Sequence, residues 1–536
     1  MRWQRDRQRL IGAGALLTVV YLAFLIAWAY ATPAFRSPDA PMHYNSVMRV
    51  MEGGGWPEPG EADIDPAVLT VAIEGGLVAA GAPDLSWGHF YRLNGGLIVG
   101  TGQYLADTDP LPEAQRSIPQ FTGEGSVGVD QMTQHPPLYY GIAAGFLTML
   151  GADSWQWDGQ LLALSILSAL MVMWVVPCTI YTARRLGLNR RLSLLAGASI
   201  LAVPQLAHIG SAVTNDSLYI LMGSLLIAAC AKVLTTTPTR RDVIMVGALL
   251  GLGLWTKGTF VGFGLVAGLS FLASRGELPW TRKLKYGVSA GLLGVLVGGY
   301  WWVRNLVLYG VLQPSGFPNE AADWAGVEPR FSDFLALAWT DLMESFWGKF
   351  GWLELPLPSA LIIALTLIAL IMSACGLAAA REYRIPLLVL VLFVPLTIAV
   401  LTIQGWLNYQ HTGEVSGMQG RYPFPGIVAL AVLVSWGHVW LRRVGGPRLA
   451  QASESIFAIG SPLVGLIGLW AMLRAAYSSD SLLGFSWMTW DAWSIATGAT
   501  LKLSVIVCVL GAAIIIVGGL RLAAMGAKAP AESHRR

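Results

Sequence analysis

Two short stretches, one at each end of a long polar segment, hold the side chains best suited to chemistry. They are Pro38-Asp39-Ala40-Pro41-Met42-His43-Tyr44 and Gln134-His135-Pro136-Pro137-Leu138-Tyr139-Tyr140. Asp39 stands between Pro38 and Pro41, where the backbone is stiff and non-helical. A carboxylate there suits general-base work, because partial desolvation raises its pKa. It would equally suit a cap on the helix expected over Met42–Met51. His43, one turn further on, would orient such a base or face lipid headgroups. His135-Pro136-Pro137 reads as a rigid helix start, and the tyrosines that follow, Tyr139 among them, suit a membrane interface.

The elements that must position these groups are mostly apolar. The chain has 536 residues, 54% hydrophobic and 12% charged, with a mean hydropathy of +0.56. That composition describes an all-α polytopic membrane protein rather than a string of soluble domains. The formal net charge of +3 says little, since membrane proteins segregate charge by side. Cys178, Cys230, Cys375 and Cys508 all fall in apolar runs, so no disulfide is expected. No transition-metal motif and no Gly-x-x-x-x-Gly-Lys-Ser/Thr phosphate loop is present, and nothing points to nucleic acid.

A span needs about 20 apolar residues. Candidate spans are Leu10–Tyr30, Leu161–Tyr181, Leu192–Ala207, Leu218–Val233, Val243–Leu254, Phe260–Leu272, Tyr286–Leu308, Ala360–Ala380, Pro386–Leu401, Ile427–Leu441, Ile456–Met472 and Leu503–Leu520, about twelve in all. The first reads as a retained helix with a cytoplasmic N-terminus, its apolar core being longer than a signal peptide's. Leu138–Leu150 is short for a crossing and reads as an interfacial helix. With it left out, the basic loops all fall on one side, as the positive-inside rule requires. The expected organisation is residues 1–31, an N-terminal segment and first span; 32–157, a large extracytoplasmic loop; 158–309, spans two to seven; 310–356, a second outer loop; and 357–536, spans eight to twelve with a basic cytoplasmic tail.

In that topology most of the Asp and Glu residues face outward, so the working face is expected outside the membrane. Lys257, Arg304 and Arg421 are cations that break the charge bias near one outer boundary. They suit an anionic lipid headgroup, arginine offering a two-pronged fork to phosphate; snorkelling is the alternative. Phe331–Trp347 has helical spacing, and Trp324, Trp339, Trp347 and Trp352 suit either stacking on sugars or an aromatic belt.

Asp39 just after the first span, His135-Pro-Pro-Leu-Tyr-Tyr140 opening an interfacial helix, and Thr256-Lys257-Gly258 between later spans resemble the GT-C superfamily of integral-membrane glycosyltransferases, which use polyprenyl-phosphate sugars. Asp39-Ala-Pro-Met-His43, Asn215-Asp216, Ser345-Phe-Trp-Gly-Lys-Phe-Gly-Trp-Leu353 and Gln419-Gly-Arg-Tyr422 resemble, more narrowly, a bacterial family of predicted membrane proteins of unassigned function. The resemblance implies a GT-C-like fold in the bacterial plasma membrane, with Asp39 as the base. It also implies a polyprenyl-phosphate sugar donor and a glycan, lipid or protein acceptor. Many superfamily members carry a second acid beside the first; this chain has Ala40 there. Asp130 is then the candidate second carboxylate, and no divalent metal is expected to be required, although some relatives use one. Two other readings stay open: a flippase or transporter of lipid-linked glycans, and a glycan polymerase or ligase using a polyprenyl-diphosphate donor.

Overall fold

Once lipid replaces water, an apolar run must satisfy its own backbone, and a helix does so within one segment. The computed structural model describes residues 2–86, 89, 105, 109–317, 328–496 and 498–527. Among these, seven helices are long and apolar enough to cross a membrane: Gln8–Ala31, Trp157–Arg185, Asp216–Thr235, Trp280–Tyr309, Ser359–Ala379, Arg381–Thr412 and Phe424–Ala476. An eighth arises if Arg190–Ala202 and Pro204–Gly210, bent by 73°, form one span. The twelve expected segments all lie on helical chain, yet not all pass this test. Arg240–Leu254 is only 15 residues long, and Gly258–Leu272 is a short apolar helix. Two expected spans share Phe424–Ala476, which breaks at Gly446 (φ 73°, ψ −175°).

The bundle has an inside and an outside. In Asp216–Thr235, 72% of the apolar stretch is buried inside the bundle, whereas in Ser359–Ala379 only 17% is, which leaves that helix with an exposed apolar face. Helices approach closely where side chains vanish: a Cβ on Gly298 would collide with the backbone at Gly251. Just there the 280–309 helix loosens into a π-helical turn, Val295–Gly299.

The segment after the first helix is held by side chains rather than by regular structure. Among its described residues the α-helices are Ala40–Met51, Pro66–Glu74 and, as expected, Leu138–Leu150. Arg116 is buried against Asp158 and donates to the carbonyls of Ala492 and Ser494, tying this segment to the helix Trp487–Trp493. Trp490 Nε1 donates to the Tyr30 carbonyl at 2.7 Å, closing the same joint over the end of the first helix.

A short hairpin departs from an all-helical expectation. Lys349–Phe350 and Leu355–Pro356 pair as a two-stranded antiparallel hairpin, with Gly351 (φ 65°) and Leu353 (φ 62°) turning the chain left-handed between them. Trp352 Nε1 donates from this turn to the Phe35 carbonyl at 2.8 Å, so the hairpin braces the backbone four residues before Asp39. Trp324 and the tail from Lys528 lie outside the described residues.

Candidate functional site

Four charged side chains from four distant stretches meet where helices end. Asp39 follows the first helix, Asp216 opens the helix Asp216–Thr235, Lys257 follows Arg240–Leu254, and Arg421 precedes the turn that starts at Phe424. Arg421 bridges the two acids, its NH2 lying 2.9 Å from Asp39 Oδ2 and its NH1 3.5 Å from Asp216 Oδ2. Lys257 Nζ lies 2.6 Å from Asp216 Oδ1. Asp216, Lys257 and Arg421 are buried, while the Asp39 side chain keeps 23% of its surface exposed. A buried charge is tolerated when it is paired, and here two cations balance two acids.

Asp39 is not a helix cap. It precedes the helix Ala40–Met51 in the left-handed region (φ 61°, ψ 11°), and its side chain makes no capping bond. That conformation costs a non-glycine residue about 1–2 kcal/mol, and such strain collects at functional sites. The carboxylate faces Arg421 and accepts from Gln131 Nε2 at 3.3 Å. Gln131 lies in the short 3-10 turn Gln131–Gln134, and Gly316 of the second insert packs directly on its backbone. Nothing in the sequence singles Gln131 out, since a neutral amide in irregular chain carries no pattern.

His43, on the helix that Asp39 precedes, is buried. Its Nδ1 lies 2.9 Å from Tyr140 Oη and its Nε2 3.3 Å from Thr214 Oγ1, and its ring stacks on Tyr140. Burial pushes its imidazole pKa down to about 3; Arg421 and Lys257 push the same way, and Asp216 opposes them. His135 is also held at about 3, by burial first and then by Lys257 and His43, against Asp216 and Asp39. Both imidazoles are neutral at physiological pH, and His135 Nδ1 is buried without a partner. Tyr139 is fully buried beside His43 at a ring separation of 6.4 Å. Tyr422 lies under Lys257, 4.7 Å from Nζ to ring centre, and 5.7 Å from the Arg421 guanidinium.

Other expected residues fall elsewhere. Asp130, expected as the second carboxylate, is wholly buried and saturated. Its Oδ2 accepts from Asn45, Ser46 and Arg49, and its Oδ1 from the Met132 N–H. Asp216, not Asp130, supplies the second carboxylate at Arg421. Arg304 is exposed, and the structure does not bring it to this group. It stays on its own helix, 3.2 Å from Asn305 and over the rings of Trp301 and Tyr309. Trp347 donates its indole N–H to Thr366 at 2.8 Å, which fixes it between helices. Asn215 is buried next to Asp216 with its Nδ2 unpartnered, and Gln419 has a buried, unpartnered Oε1. Arg421 Nε is likewise without a partner. Asn215 Nδ2, Gln419 Oε1 and Arg421 Nε thus leave hydrogen-bonding capacity beside the charged cluster. Among the described residues, no three His, Cys, Asp or Glu side chains gather as a metal site would require.

Fold and site together define a multi-pass helical membrane protein with a largely buried four-charge cluster where its helices end, Asp39 being its partly exposed member. The chain belongs to the family described as Predicted membrane protein (DUF2142), whose model matches residues 22–431 and so takes in all four charges. None of the curated proteins matches it. Among solved structures it is similar to ArnT from Cupriavidus metallidurans bound to undecaprenyl phosphate. That match has 13% identity and a TM-score of 0.48, covering 96% of this chain and 74% of that one. It is also similar to the Archaeoglobus fulgidus oligosaccharyltransferase in the apo form, at 10% identity and a TM-score of 0.37, covering 95% of this chain and 56% of that one. The archaeal oligosaccharyltransferase AglB from Archaeoglobus fulgidus, in complex with an inhibitory peptide and a dolichol-phosphate, matches at 10% identity and a TM-score of 0.37, covering 97% of this chain and 56% of that one. This chain therefore spans just over half the length of the archaeal enzyme.

Proposed function

We propose that this protein is an inverting membrane glycosyltransferase. It would move a sugar from a polyprenyl-phosphate donor to a hydroxyl of a cell-envelope glycan, lipid or protein. The observation that carries this reading is the bridge made by Arg421 between Asp39 and Asp216, with Lys257 beside it. It offers one partly exposed carboxylate paired to Arg421, with Lys257 held beside Arg421 through Asp216. In a single displacement the acceptor oxygen bonds to the anomeric carbon as that carbon's bond to the phosphate oxygen breaks. The phosphate leaves with the bonding pair, and the acceptor's proton passes to Asp39. Arg421 and Lys257 stabilise the negative charge that grows on the leaving phosphate, in a site from which water is largely excluded. Asp216 keeps the two cations together before the donor arrives. The working face is the extracytoplasmic one, and the membrane is a bacterial plasma membrane.

The test is Asp39→Asn in a reconstituted transfer assay with polyprenyl-phosphate sugars, beside a thermal unfolding measurement. Loss of a general base lowers rate by about 10²–10⁴-fold, and because Asp39 makes no capping bond the fold should persist. Transfer by the asparagine variant at the parent rate would refute the role of Asp39.

A further inference from the structure

We infer that the Asp39 carboxylate occupies, on Arg421, the place that the donor phosphate takes. Seating the donor and freeing the base are then one event. The inference rests on the donor reading above and adds an order to it: the donor binds first, and only then does a carboxylate become available to the acceptor.

The two acids on Arg421 are not equivalent. Asp216 is buried to 1% exposure and is hydrogen-bonded to Lys257 at 2.6 Å, while its Oδ2 lies 3.5 Å from Arg421 NH1, an ion pair without a hydrogen bond. Asp39 is the more exposed partner, and its one further bond is a long 3.3 Å contact with Gln131. Arg421 NH2 faces the loosely held acid, NH1 faces the fixed one, and Nε has no partner. A guanidinium prefers a two-pronged anion, and Asp39 engages it through one nitrogen only. A phosphate approaching Nε and NH2 would satisfy the orphan N–H and take over NH2, leaving NH1 and its ion pair with Asp216 in place.

Charge balance points the same way. With two acids and two cations the cluster is neutral, so an added phosphate leaves one negative charge too many against Arg421 unless Asp39 withdraws. The backbone cannot withdraw. The Phe35 carbonyl is held by Trp352 at 2.8 Å, and Ser37 Oγ lies 3.4 Å from His208 Nε2. The His43 N–H donates to the Asp39 carbonyl at 3.0 Å. What can move is the carboxylate, by rotation about its side-chain bonds.

The expected result is the reverse of what loss of a binding residue gives. Full-length protein in detergent is titrated with a polyprenyl monophosphate, with the matching uncharged polyprenol as control. Asp39→Asn removes the competing charge and should bind the phosphate about tenfold tighter than the parent, while Asp39→Glu, which keeps the competitor, should not. Asp216→Asn should weaken binding, because Lys257 and Arg421 lose the anion that holds them together. A thermal melt of each variant separates lost binding from lost fold. If the parent binds phosphate no better than polyprenol, the donor reading itself fails. If the parent prefers the phosphate but Asp39→Asn binds it equally or more weakly, the exchange is overturned while the donor reading stands.

Discussion

Asp39 and Asp130 belong to the same polar segment and reach the same helix, Ala40–Met51, yet they live in opposite conditions. Asp130 takes four donors, three of them from Asn45, Ser46 and Arg49 on that helix, and none of its surface is exposed. Asp39, at the helix start, has a left-handed backbone, one cation, one long amide contact and an open side. A carboxylate whose lone pairs are all taken holds a fold; one with capacity to spare, kept in place by strain and by a shared cation, can exchange partners. The helix between them serves both, presenting His43 toward the charged cluster and the next turn toward Asp130.

The first way to break this contrast is Asp130→Ala. It strands the Arg49 guanidinium, the Asn45 amide and the Ser46 hydroxyl around an emptied site, and removing one partner of a buried pair costs about 3–5 kcal/mol. The expected outcome is a large fall in unfolding temperature, with the folded fraction binding polyprenyl monophosphate as the parent does. Burial already raises the Asp130 carboxyl pKa, so its charge rests on these donors. A stable Asp130→Ala protein that no longer transfers sugar would reverse the two roles.

A smaller effect is expected at His43. Its folded pKa is about 3, against about 6.5 in an unfolded chain. As pH falls below about 6.5, the unfolded state takes up a proton that the native state refuses. Stability is therefore complete above that pH and drains as pH falls toward 3, by up to about 1.4 kcal/mol per pH unit. The groups facing His43 are Tyr139, Tyr140, Thr214, Asp216, Lys257 and Arg421. Denaturant unfolding from about pH 7 to about pH 5 should show His43→Gln losing less stability than the parent, by close to one proton's slope. Equal slopes would mean that His43 is protonated in the native state, with the acids of the cluster winning over its cations.

Much of the site was legible because membranes make charge conspicuous. Lys257 and Arg421 stand out as cations on the wrong side of the charge bias, and Asp39 by its place after the first span. The partnership between residues 39 and 421 was not legible, since no local period encodes a contact across 382 positions. For the same reason Asp130 was the natural choice of second carboxylate, lying in the same loop as Asp39, whereas Asp216 reaches the site from the end of another helix. Helix existence was read well, from an apolar run at Leu138–Leu150 and from helical spacing at Phe331–Trp347, both to the residue. Span boundaries were harder, because a bend at Val203 interrupts the apolar run Leu192–Ala207, whereas the break at Gly446 falls in the basic stretch that separates two expected spans. The hairpin at 349–356 was missed because two-residue strands carry no alternation to detect.

The smallest expected effect concerns the cation that the sequence grouped with the others and the structure sets apart. Arg304 is exposed and pairs with its own helix, where Trp301 and Tyr309 flank its guanidinium at 5.1 and 5.8 Å. Arg421 is buried between two acids. Truncating a buried, paired charge costs about 2–5 kcal/mol of binding, whereas an exposed one contributes about 1 kcal/mol or less and is screened by salt. Arg421→Ala should therefore abolish measurable binding of polyprenyl monophosphate. Arg304→Ala should weaken it by no more than about fivefold at low ionic strength, and by less as salt is raised. Titration of both variants at about 0.05 and about 0.5 M salt makes the comparison. Equal losses at high salt would bring Arg304 into the donor's seat, and reaching it would require the 280–309 helix to swing about its π-helical turn at Val295–Gly299.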